Sequence, residues 1–288
     1  MPNPVLVARS GDIATVTLNR PARLNALDLA MWRVLAEAME KLAASDDGLR
    51  CVLLRGAGKA FAAGADLAEF ARSRATPTDA ERYGKIMDRA LRSVRDCPLP
   101  TIASIQGACV GGGLQIAIVC DLRICGVTSR FGAPLQKIGV VMPFPEIVYL
   151  VELVGHAVAL EILLEGRVFD AAEAKEKGLV TRVVADDAVE KEALVAARRI
   201  AEGAPLSHRY HKRLIRRCLD RRPLAAEDYA EGFAVWPVRT TPKASAPSWK
   251  NASQCSRAGE KARQSLGGEF DSCYAGTPFG SSLPLRYL

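Results

Sequence analysis

Two glycine-rich turns constrain the fold of this chain more than any other feature of its sequence. Residues 56–67 are GAGKAFAAGADL, and residues 105–114 are IQGACVGGGL. Each turn follows an apolar segment typical of a buried strand and precedes a segment typical of a helix. At such a helix N-terminus the backbone N–H groups are exposed, and the helix dipole favours negative charge there. Two of these donors converging on one point would form an oxyanion hole.

Two other interpretations of these glycines stay open at this point. The glycines can serve only to permit tight turns. A nucleotide site is the second alternative, although the G-x-G-x-x-G pattern is not matched in a Rossmann context and the G-x-x-x-x-G-K-[ST] pattern is absent. The turns by themselves do not decide between an anion site and a purely structural role.

Strand-like and helix-like segments alternate along the chain, which indicates an α/β fold. Asp28 is a candidate N-cap for the first helix. The apolar face of that helix is predicted to contain Leu29, Trp32, Leu35, Met39 and Leu42. The predicted strands are residues 5–7, 14–18, 51–54, 101–105 and 122–125. The other predicted helices are residues 78–96, 111–119 and most of 145–222, with a break at 179–184.

The composition is that of an ordinary globular protein, with 49% hydrophobic and 25% charged residues. Because no uninterrupted run of eighteen apolar residues occurs and no secretory signal is recognisable, we expect a cytoplasmic protein with no membrane partner. Most of the eight cysteines resemble Cys51 and Cys120, which lie in apolar segments, and no C-x-x-C pair occurs. We therefore expect reduced thiols and no metal site.

The net charge of +7 is concentrated near the C-terminal end. Residues 239–288 carry seven Lys/Arg and three Asp/Glu, which leaves +3 for the rest of the chain. A basic run at residues 208–222 is explained by a surface amphipathic helix. RNA binding is the alternative, but a charge distribution of this kind supports it only weakly, so we expect no nucleic-acid partner.

Several motifs resemble those of the crotonase superfamily, the enoyl-CoA hydratase/isomerase family, in order and spacing. They are Asn19-Arg20-Pro21 with Leu24-Asn25-Ala26-Leu27, the two glycine turns, Cys120-Asp121, Phe131-Gly132-x-Pro134, and Ala171-x-x-Ala174-x-x-x-Gly178-Leu179-Val180. The resemblance covers roughly residues 5–236. It implies an α/β fold built as a crotonase-type spiral of ββα units, with a helical C-terminal region used in trimer formation. It also implies an acyl-CoA substrate, with coenzyme A as part of that substrate and no separate cofactor.

The resemblance also implies a division of the chain and an assembly. Residues 1–200 would form the crotonase-fold core, residues 201–238 a helical C-terminal region, and residues 239–288 an atypical tail. The expected assembly is a homotrimer or a dimer of trimers.

The resemblance assigns roles to individual residues near the two turns. The backbone N–H groups of Ala65 and Gly112 correspond to the family's two oxyanion donors, which hold the thioester oxygen as it acquires enolate charge. Arg23 lies where the family often places a basic residue near the CoA phosphates, although an exposed arginine can also be only solvated. The other residues expected at the substrate are Ala62, Ala63, Gly64, Asp66, Leu67, Gly111, Gln115 and Leu135. Of these, Asp66 is interpreted as a cap or loop-shaping residue, and Asp121 of the nearby motif as structural.

Two positions depart from the hydratase pattern. Hydratases of this family use two glutamates, and this chain has Gln115 and Leu135 at the corresponding positions. Glutamine cannot exchange a proton near neutral pH, and leucine has no polar group. Isomerase, decarboxylase or C–C lyase chemistry is therefore favoured over hydration, and a non-catalytic acyl-CoA-binding relative is the alternative.

Glu146 is the best candidate for a remaining acid/base residue. It ends the segment VMPFPE at residues 141–146. In hydratases of this family the corresponding segment is glycine-rich and borders the acyl pocket. The alternative is that Glu146 only occupies the first turn of a helix, where the dipole favours carboxylates. Glu69 and Tyr83 are weaker candidates, which a solvated helix face and packing explain.

The tail departs from the family in a specific way. Serine, threonine, proline, glycine and lysine dominate after about residue 237, which predicts disorder. Codons that combine the last base of one codon with the first two of the next can encode EGIRAFLEKRKPVF across residues 242–255, which resembles the usual family ending. We hypothesise a frameshift shortly before Pro242, and the gene sequence tests this hypothesis.

Overall fold

The computed structural model describes residues 3–220 and 222–231. The tail at 239–288, its predicted disorder and the frameshift hypothesis lie outside the described residues. The boundaries placed at residues 200 and 238 stay predictions.

Most strands form one six-stranded sheet. In sheet order its strands are β1 Val5–Ser10, β2 Ile13–Leu18, β3 Cys51–Gly56, β4 Thr101–Ile105, β6 Leu122–Gly126 and β9 Arg182–Val184. The hairpin of β1 and β2 is antiparallel, and each later neighbour pairs in parallel. Parallel strands need crossover connections, and these crossovers carry the helices. The predicted strands are confirmed, and β9 lies in the predicted break of the helical region.

A second, smaller sheet was not predicted from the sequence. It contains β5 Ala108–Val110, β7 Arg130–Gly132 and β8 Phe169–Asp170. An isolated bridge pairs Ala62 with Cys109 of β5, so the chain after β3 extends this sheet by one position. The segments that begin with β3, β4 and β6 each place one element in the large sheet and then one in the small sheet. This repeat is the ββα unit that the resemblance implied.

The helices cover both faces of the large sheet. They are α1 Leu29–Ala43, α2 Leu67–Ser73, α3 Pro77–Arg95, α4 Gly112–Val119, α5 Phe144–Glu165, α6 Ala171–Glu176, α7 Val189–Glu202, α8 Pro205–Leu219 and α9 Ala226–Glu231. Asp28 accepts a hydrogen bond from the Met31 N–H at 2.8 Å, so the predicted cap of α1 is confirmed. The helix α2 was missed because its seven residues are too few to show a periodic apolar face.

Alternate residues of β3 point to opposite faces of the sheet, as the two-residue period of a strand requires. Val52 and Leu54 join the larger core, which α1, α3 and α4 complete. Cys51 and Leu53 join a smaller core on the other face, where α7 contributes a set of buried alanines. Both faces are therefore covered, which explains why β3 has no polar alternation in the sequence.

The helix α5 is a long and strongly apolar element. By length and composition alone it is long and apolar enough to cross a membrane, with a mean hydropathy of 2.0 over eighteen residues. Charged residues interrupt this stretch, so it contains no run of eighteen apolar residues. The helix is broken at Gly155, where φ is 76° and ψ is 164°. Leu160 and Leu164 beyond the break are 54% and 72% exposed. The second half of α5 thus presents an apolar face to the surroundings of this chain.

The basic helix α8 is held against the sheet by ion pairs. Lys212 donates to the backbone oxygen of Leu99 at 2.9 Å and pairs with Asp121 at 2.6 Å. Asp121 also accepts hydrogen bonds from the N–H and the hydroxyl of Thr101. Arg217 pairs with Asp228 of α9 at 2.7 Å. The structure therefore places Asp121 in a structural network and neutralises part of the charge of α8.

Asn25 joins the segment before α1 to the first glycine turn. Its side chain is fully buried, and its amide donates to the backbone oxygens of Ala57 and Ala60 at 2.9 and 2.7 Å. Its side-chain oxygen accepts from the Arg20 N–H at 2.9 Å. The backbone φ of Asn25 is 55°, a left-handed conformation that asparagine tolerates better than most residues.

The substitution Asn25→Asp is expected to lower the free energy of unfolding by about 3 kcal/mol, because two buried carbonyls lose their donor and face a carboxylate. Urea unfolding measures this change. Asn19→Asp is the control, since the Asn19 amide makes one exposed bond to the Asn3 oxygen. Equal losses for the two variants would contradict the role assigned to Asn25.

Candidate active site

The two glycine turns meet at Gly64 and Gly111. Gly64 has a φ of 106° and Gly111 a φ of 53° with a ψ of −117°, conformations that side chains strongly disfavour. A Cβ atom on Gly111 would lie 3.6 Å from the Gly64 Cα atom. The backbones of the two turns are thus in close contact, which brings the residues that follow them, Ala65 and Gly112, to one place.

The N–H group of Ala65 is free because of the pairing on either side of it. The Leu27 N–H donates to the Gly64 oxygen at 2.7 Å, and the Asp66 N–H donates to the Leu27 oxygen at 2.9 Å. Ala65 is the residue paired with Leu27 in this parallel bridge, so its own N–H points away from Leu27. Among the described residues it has no backbone acceptor.

The N–H group of Gly112 is free for a different reason. Gly112 is the first residue of α4, and the first intrahelical bond runs from the Gln115 N–H to the Gly111 oxygen at 2.9 Å. The N–H groups that precede this bond have no intrahelical acceptor. A Cβ atom on Gly112 would lie 2.7 Å from Leu27 and 3.1 Å from Trp32, so only glycine fits here without displacing those side chains.

A cavity of about 640 Å³ lies beside these two donors. Eight of the residues named from the sequence border it: Ala63, Gly64, Ala65, Leu67, Gly111, Gly112, Gln115 and Leu135. Four do not border it: Arg23, Ala62, Asp66 and Glu146. Ala62 is fully buried, and its backbone N–H and oxygen are bonded to β5. The structure thus brings the two turns and both hydratase positions to one cavity.

Neither hydratase position supplies a proton donor or acceptor of the required kind. Gln115 lies in α4 and is 5% exposed, and Leu135 begins the short 3-10 helix Leu135–Ile138. Among the described residues that border the cavity there is no aspartate or glutamate. The charged residues on its wall are Arg74 and Lys137, both cations.

Glu146 lies in the first turn of α5, three residues after Pro143 of the cavity wall. It is 1% exposed, and its Oε2 atom has no hydrogen-bond partner among the described residues. The pKa of this carboxyl group is raised to about 7, mainly by burial and also by the negative charge of Asp88, while a backbone hydrogen bond and the charge of Arg74 oppose the rise. A carboxyl group with this pKa can accept and return a proton near neutral pH.

Asp66 is held by two arginines and caps a helix. Its Oδ1 atom accepts from the Ala68 N–H at 3.1 Å, and its Oδ2 atom pairs with Arg20 at 2.8 Å and Arg23 at 3.3 Å. The hydrogen bond from Arg20 lowers the pKa of Asp66 most strongly, against the opposing effect of burial. These contacts agree with the interpretation of Asp66 as a cap. The Arg23 side chain is 60% exposed, so it remains accessible to a ligand that binds from the solvent.

The α3 side of the cavity contains a pair of buried aromatic residues. The Trp32 indole N–H donates to the Tyr83 hydroxyl at 2.9 Å, and both residues border the cavity. The sequence placed Trp32 on the core face of α1 and so missed its position on the wall. Tyr83, a weaker acid/base candidate from the sequence that packing also explained, does border the cavity. Glu69 is used structurally, since its carboxylate accepts from the Leu29 N–H at 2.8 Å.

No group of three or more histidine, cysteine, aspartate or glutamate side chains suited to a metal ion occurs in the part of the chain that the structure describes. Its cysteines are free thiols. Burial raises the pKa of Cys51, Cys120 and Cys125 to about 12, so these thiols stay protonated at neutral pH.

Comparisons with known proteins show what this chain resembles as a whole. A family model described as enoyl-CoA hydratase/isomerase matches residues 8–233. A crystal structure of an enoyl-CoA hydratase/carnithine racemase from Magnetospirillum magneticum matches with a TM-score of 0.80 and 47% identity, covering 89% of this chain and 93% of that one. A probable enoyl-CoA hydratase of Mycobacterium bovis is 34% identical over 253 residues, which is 83% of this chain and 96% of the relative. A short-chain-enoyl-CoA hydratase of Clostridium acetobutylicum is 32% identical over 216 residues, or 75% and 82% of the two chains. The predicted mixed α/β fold is confirmed.

Proposed function

This chain belongs to the enoyl-CoA hydratase/isomerase family, and we propose that it binds an acyl-CoA thioester and stabilises the enolate of its acyl group. The observation that carries this proposal is the pair of free N–H groups at Ala65 and Gly112 beside one cavity. Two fixed donors lower the energy of an oxygen that gains negative charge, because they need no reorganisation when the charge develops. No cofactor other than the coenzyme A carried by the substrate is required.

The proposed reaction begins with the thioester oxygen between the two N–H donors. A base removes the proton from the carbon next to the thioester, and the electron pair of that C–H bond moves into the enolate. We assign the base role to Glu146, whose carboxyl group titrates near neutral pH. Because Glu146 stands behind the cavity wall, the proton reaches it through a water molecule or after a small shift of residues 143–146. The protonated Glu146 then returns the proton to the acyl chain.

Hydration is disfavoured because it needs a group to activate water and a group to protonate the α-carbon. The two residues at the corresponding positions are a neutral amide, Gln115, and an alkyl group, Leu135. Isomerisation, decarboxylation and C–C cleavage share the enolate and need one proton-transfer group at most. We therefore assign the chain to this group of reactions, although the relatives above are named hydratases.

Exchange of the α-protons in D₂O tests the proposal without knowledge of the full reaction. Butyryl-CoA and hexanoyl-CoA are incubated with the protein, and deuterium uptake at the α-carbon is measured by mass spectrometry. We expect protein-dependent exchange, together with little water addition to crotonyl-CoA. Rapid hydration of crotonyl-CoA would contradict the assignment against hydration.

A non-catalytic acyl-CoA-binding protein is the second candidate function. The observation in its favour is that no carboxylate borders the cavity among the described residues. Tight binding of both thioesters by calorimetry, without exchange of α-protons, would support this candidate over the enzyme. Failure to bind any CoA thioester would contradict both.

Arg23 is proposed to contact a phosphate group of coenzyme A. Because its side chain is largely exposed, the contact is worth no more than about 1 kcal/mol, and salt screens it. Arg23→Gln is therefore expected to weaken binding of free CoA about fivefold at low salt, with a smaller difference at high salt. Calorimetry measures the change, and Arg33→Gln, an exposed substitution on α1, is the control. An unchanged affinity in both variants would show that Arg23 is only solvated.

We also propose a homotrimer or a dimer of trimers in the cytoplasm. The exposed apolar residues of α5, with Leu164 72% exposed, support an interface between chains. Sedimentation velocity is expected to give three or six times the chain mass of 31.0 kDa. A monomer would contradict this assembly.

A further inference from the structure

We propose that Arg74 binds a negatively charged group on the acyl chain, so that the preferred substrate is a CoA thioester whose acyl part ends in a carboxylate. This inference rests on the proposed function, since it requires acyl-CoA binding in the cavity beside Ala65 and Gly112. It goes further by naming the class of acyl group.

Arg74 is fixed in place by two aromatic rings. Its guanidinium carbon lies 3.8 Å from the centre of the Tyr83 ring and 4.3 Å from the centre of the Phe70 ring. All three residues border the cavity. The faces of aromatic rings attract a cation but do not accept from the N–H groups at the edge of the guanidinium. The Tyr83 hydroxyl interacts with Arg74, whereas the Arg74 Nε atom has no hydrogen-bond partner among the described residues. A carboxylate matches these N–H groups, because two of its oxygens can accept in parallel.

No acidic residue neutralises Arg74 in the part of the chain that the structure describes. It forms no ion pair within 4.0 Å there, and its Nε atom is buried without a hydrogen-bond partner. The acids whose charges act in this region are Glu146, Asp88 and Glu69. Glu69 already accepts from the first backbone N–H of α1 at 2.8 Å. Glu146 is partly protonated near neutral pH, and Asp88 is already paired with Arg92 at 2.8 Å. Leaving a half-buried cation without a partner is costly, so its retention beside a cavity indicates a ligand.

The charge of the cavity wall also favours an anionic ligand. Its charged residues among those described are Arg74 and the exposed Lys137, and the rest of the wall is mostly apolar. A cavity for an unsubstituted fatty acyl chain needs no cation, because burial of methylene groups alone stabilises that complex. A net positive wall with apolar surroundings fits an acyl chain that is apolar along its length and anionic at its end.

Arg74 lies beyond Trp32 and Tyr83 from the oxyanion donors, on the side of the cavity to which the proposal assigns the acyl chain. Contacts run from Gly112 to Trp32, from Trp32 to the Tyr83 hydroxyl, and from the Tyr83 ring to Arg74. Arg23, the candidate for the CoA phosphates, is instead paired with Asp66 beyond the first turn and does not border the cavity. Arg74 is thus placed to meet the end of the acyl chain.

Binding of matched thioesters tests the proposal. Succinyl-, glutaryl- and adipoyl-CoA are compared by calorimetry with thioesters in which an isopropyl group replaces the terminal carboxylate, which keeps the shape and removes the charge. The full-length protein is expected to bind at least one dicarboxylic thioester ten times more tightly than its matched partner. In Arg74→Met the preference is expected to vanish, with unchanged affinity for free CoA.

Arg72→Met is the matched control, since Arg72 is an exposed residue of α2 that does not border the cavity. It is expected to keep the preference. The proposal is overturned if the unaltered protein prefers the isopropyl thioester at all three lengths or shows no preference. It is also overturned if Arg74→Met weakens free CoA and every thioester equally, which would make Arg74 a phosphate contact. Failure of every thioester to bind would instead count against the proposed function.

Discussion

Replacing Ala65 with proline is expected to slow α-proton exchange by about 10²–10³-fold, which corresponds to about 2.7–4 kcal/mol of lost stabilisation of the enolate. Proline removes the Ala65 N–H, which has no backbone acceptor among the described residues, so the folded chain loses no hydrogen bond of its own. The residue before it, Gly64, is a glycine and tolerates the conformations that a following proline allows. The loss should therefore appear in the exchange rate.

Ala65→Ser is the control for this substitution, because it keeps the N–H and the Cβ atom. It is expected to exchange within about threefold of the unaltered protein. Urea unfolding of Ala65→Pro shows whether the backbone has been disturbed. A proline variant that stays folded and exchanges at the original rate would remove Ala65 from the oxyanion hole.

The substitution Glu146→Gln is expected to change both the reaction and the stability. If Glu146 is the base, exchange falls by about 10²–10⁴-fold, the usual contribution of a positioned acid/base group. In the unaltered protein the rate is expected to rise with pH through about 7 and then level off, because the ionised carboxylate is the active form. The variant should lack this rise. A large stability effect with unchanged exchange would show that the residue is only buried.

The free energy of unfolding is expected to fall over the pH range in which the exchange rate rises. The pKa of Glu146 is about 7 in the folded chain and 4.5 as the ordinary value. Between these values the folded state holds the proton and the unfolded state has lost it, so the free energy of unfolding falls as pH rises from 4.5 to 7. The loss is at most about 3 kcal/mol.

Urea unfolding between pH 4.5 and 8 measures this loss as a difference between variants. Glu146→Gln is expected to remove it, whereas Glu165→Gln should retain it, because Glu165 is an exposed glutamate at the other end of α5. Parallel stability curves for the unaltered protein and Glu146→Gln would show that burial does not raise this pKa.

The main strands, most of the helices and the two turns were predictable because each leaves a local pattern, whereas the short helix α2 was missed. Asp28 precedes a periodic apolar face, and Gly64 and Gly111 take conformations that demand glycine. The small sheet was not predictable, since strands of two or three residues such as β7 have no periodicity to detect. These strands are fixed by neighbours far away in sequence.

The site was predictable only in part, for a similar reason. The positions of Ala65, Gly112, Gln115 and Leu135 on one cavity follow from the motifs. Arg74 gave no signal, because a basic residue after a short helix is usually solvated. Its role emerges only when the fold stacks Phe70 and Tyr83 on its two faces.

The bridge between Ala62 and Cys109 fixes the distance between the two N–H donors at Ala65 and Gly112. Ala65 follows Ala62 by three residues, and Gly112, the first residue of α4, follows Cys109 by three, so both donors stand three residues beyond one bridge. Backbones paired in this way lie about 4.8 Å apart, and two N–H groups with that separation can donate to one oxygen. The spacing of the donors is therefore set by the pairing of the backbone and not by side chains. Side chains on the acyl side of the cavity can be replaced without changing that spacing.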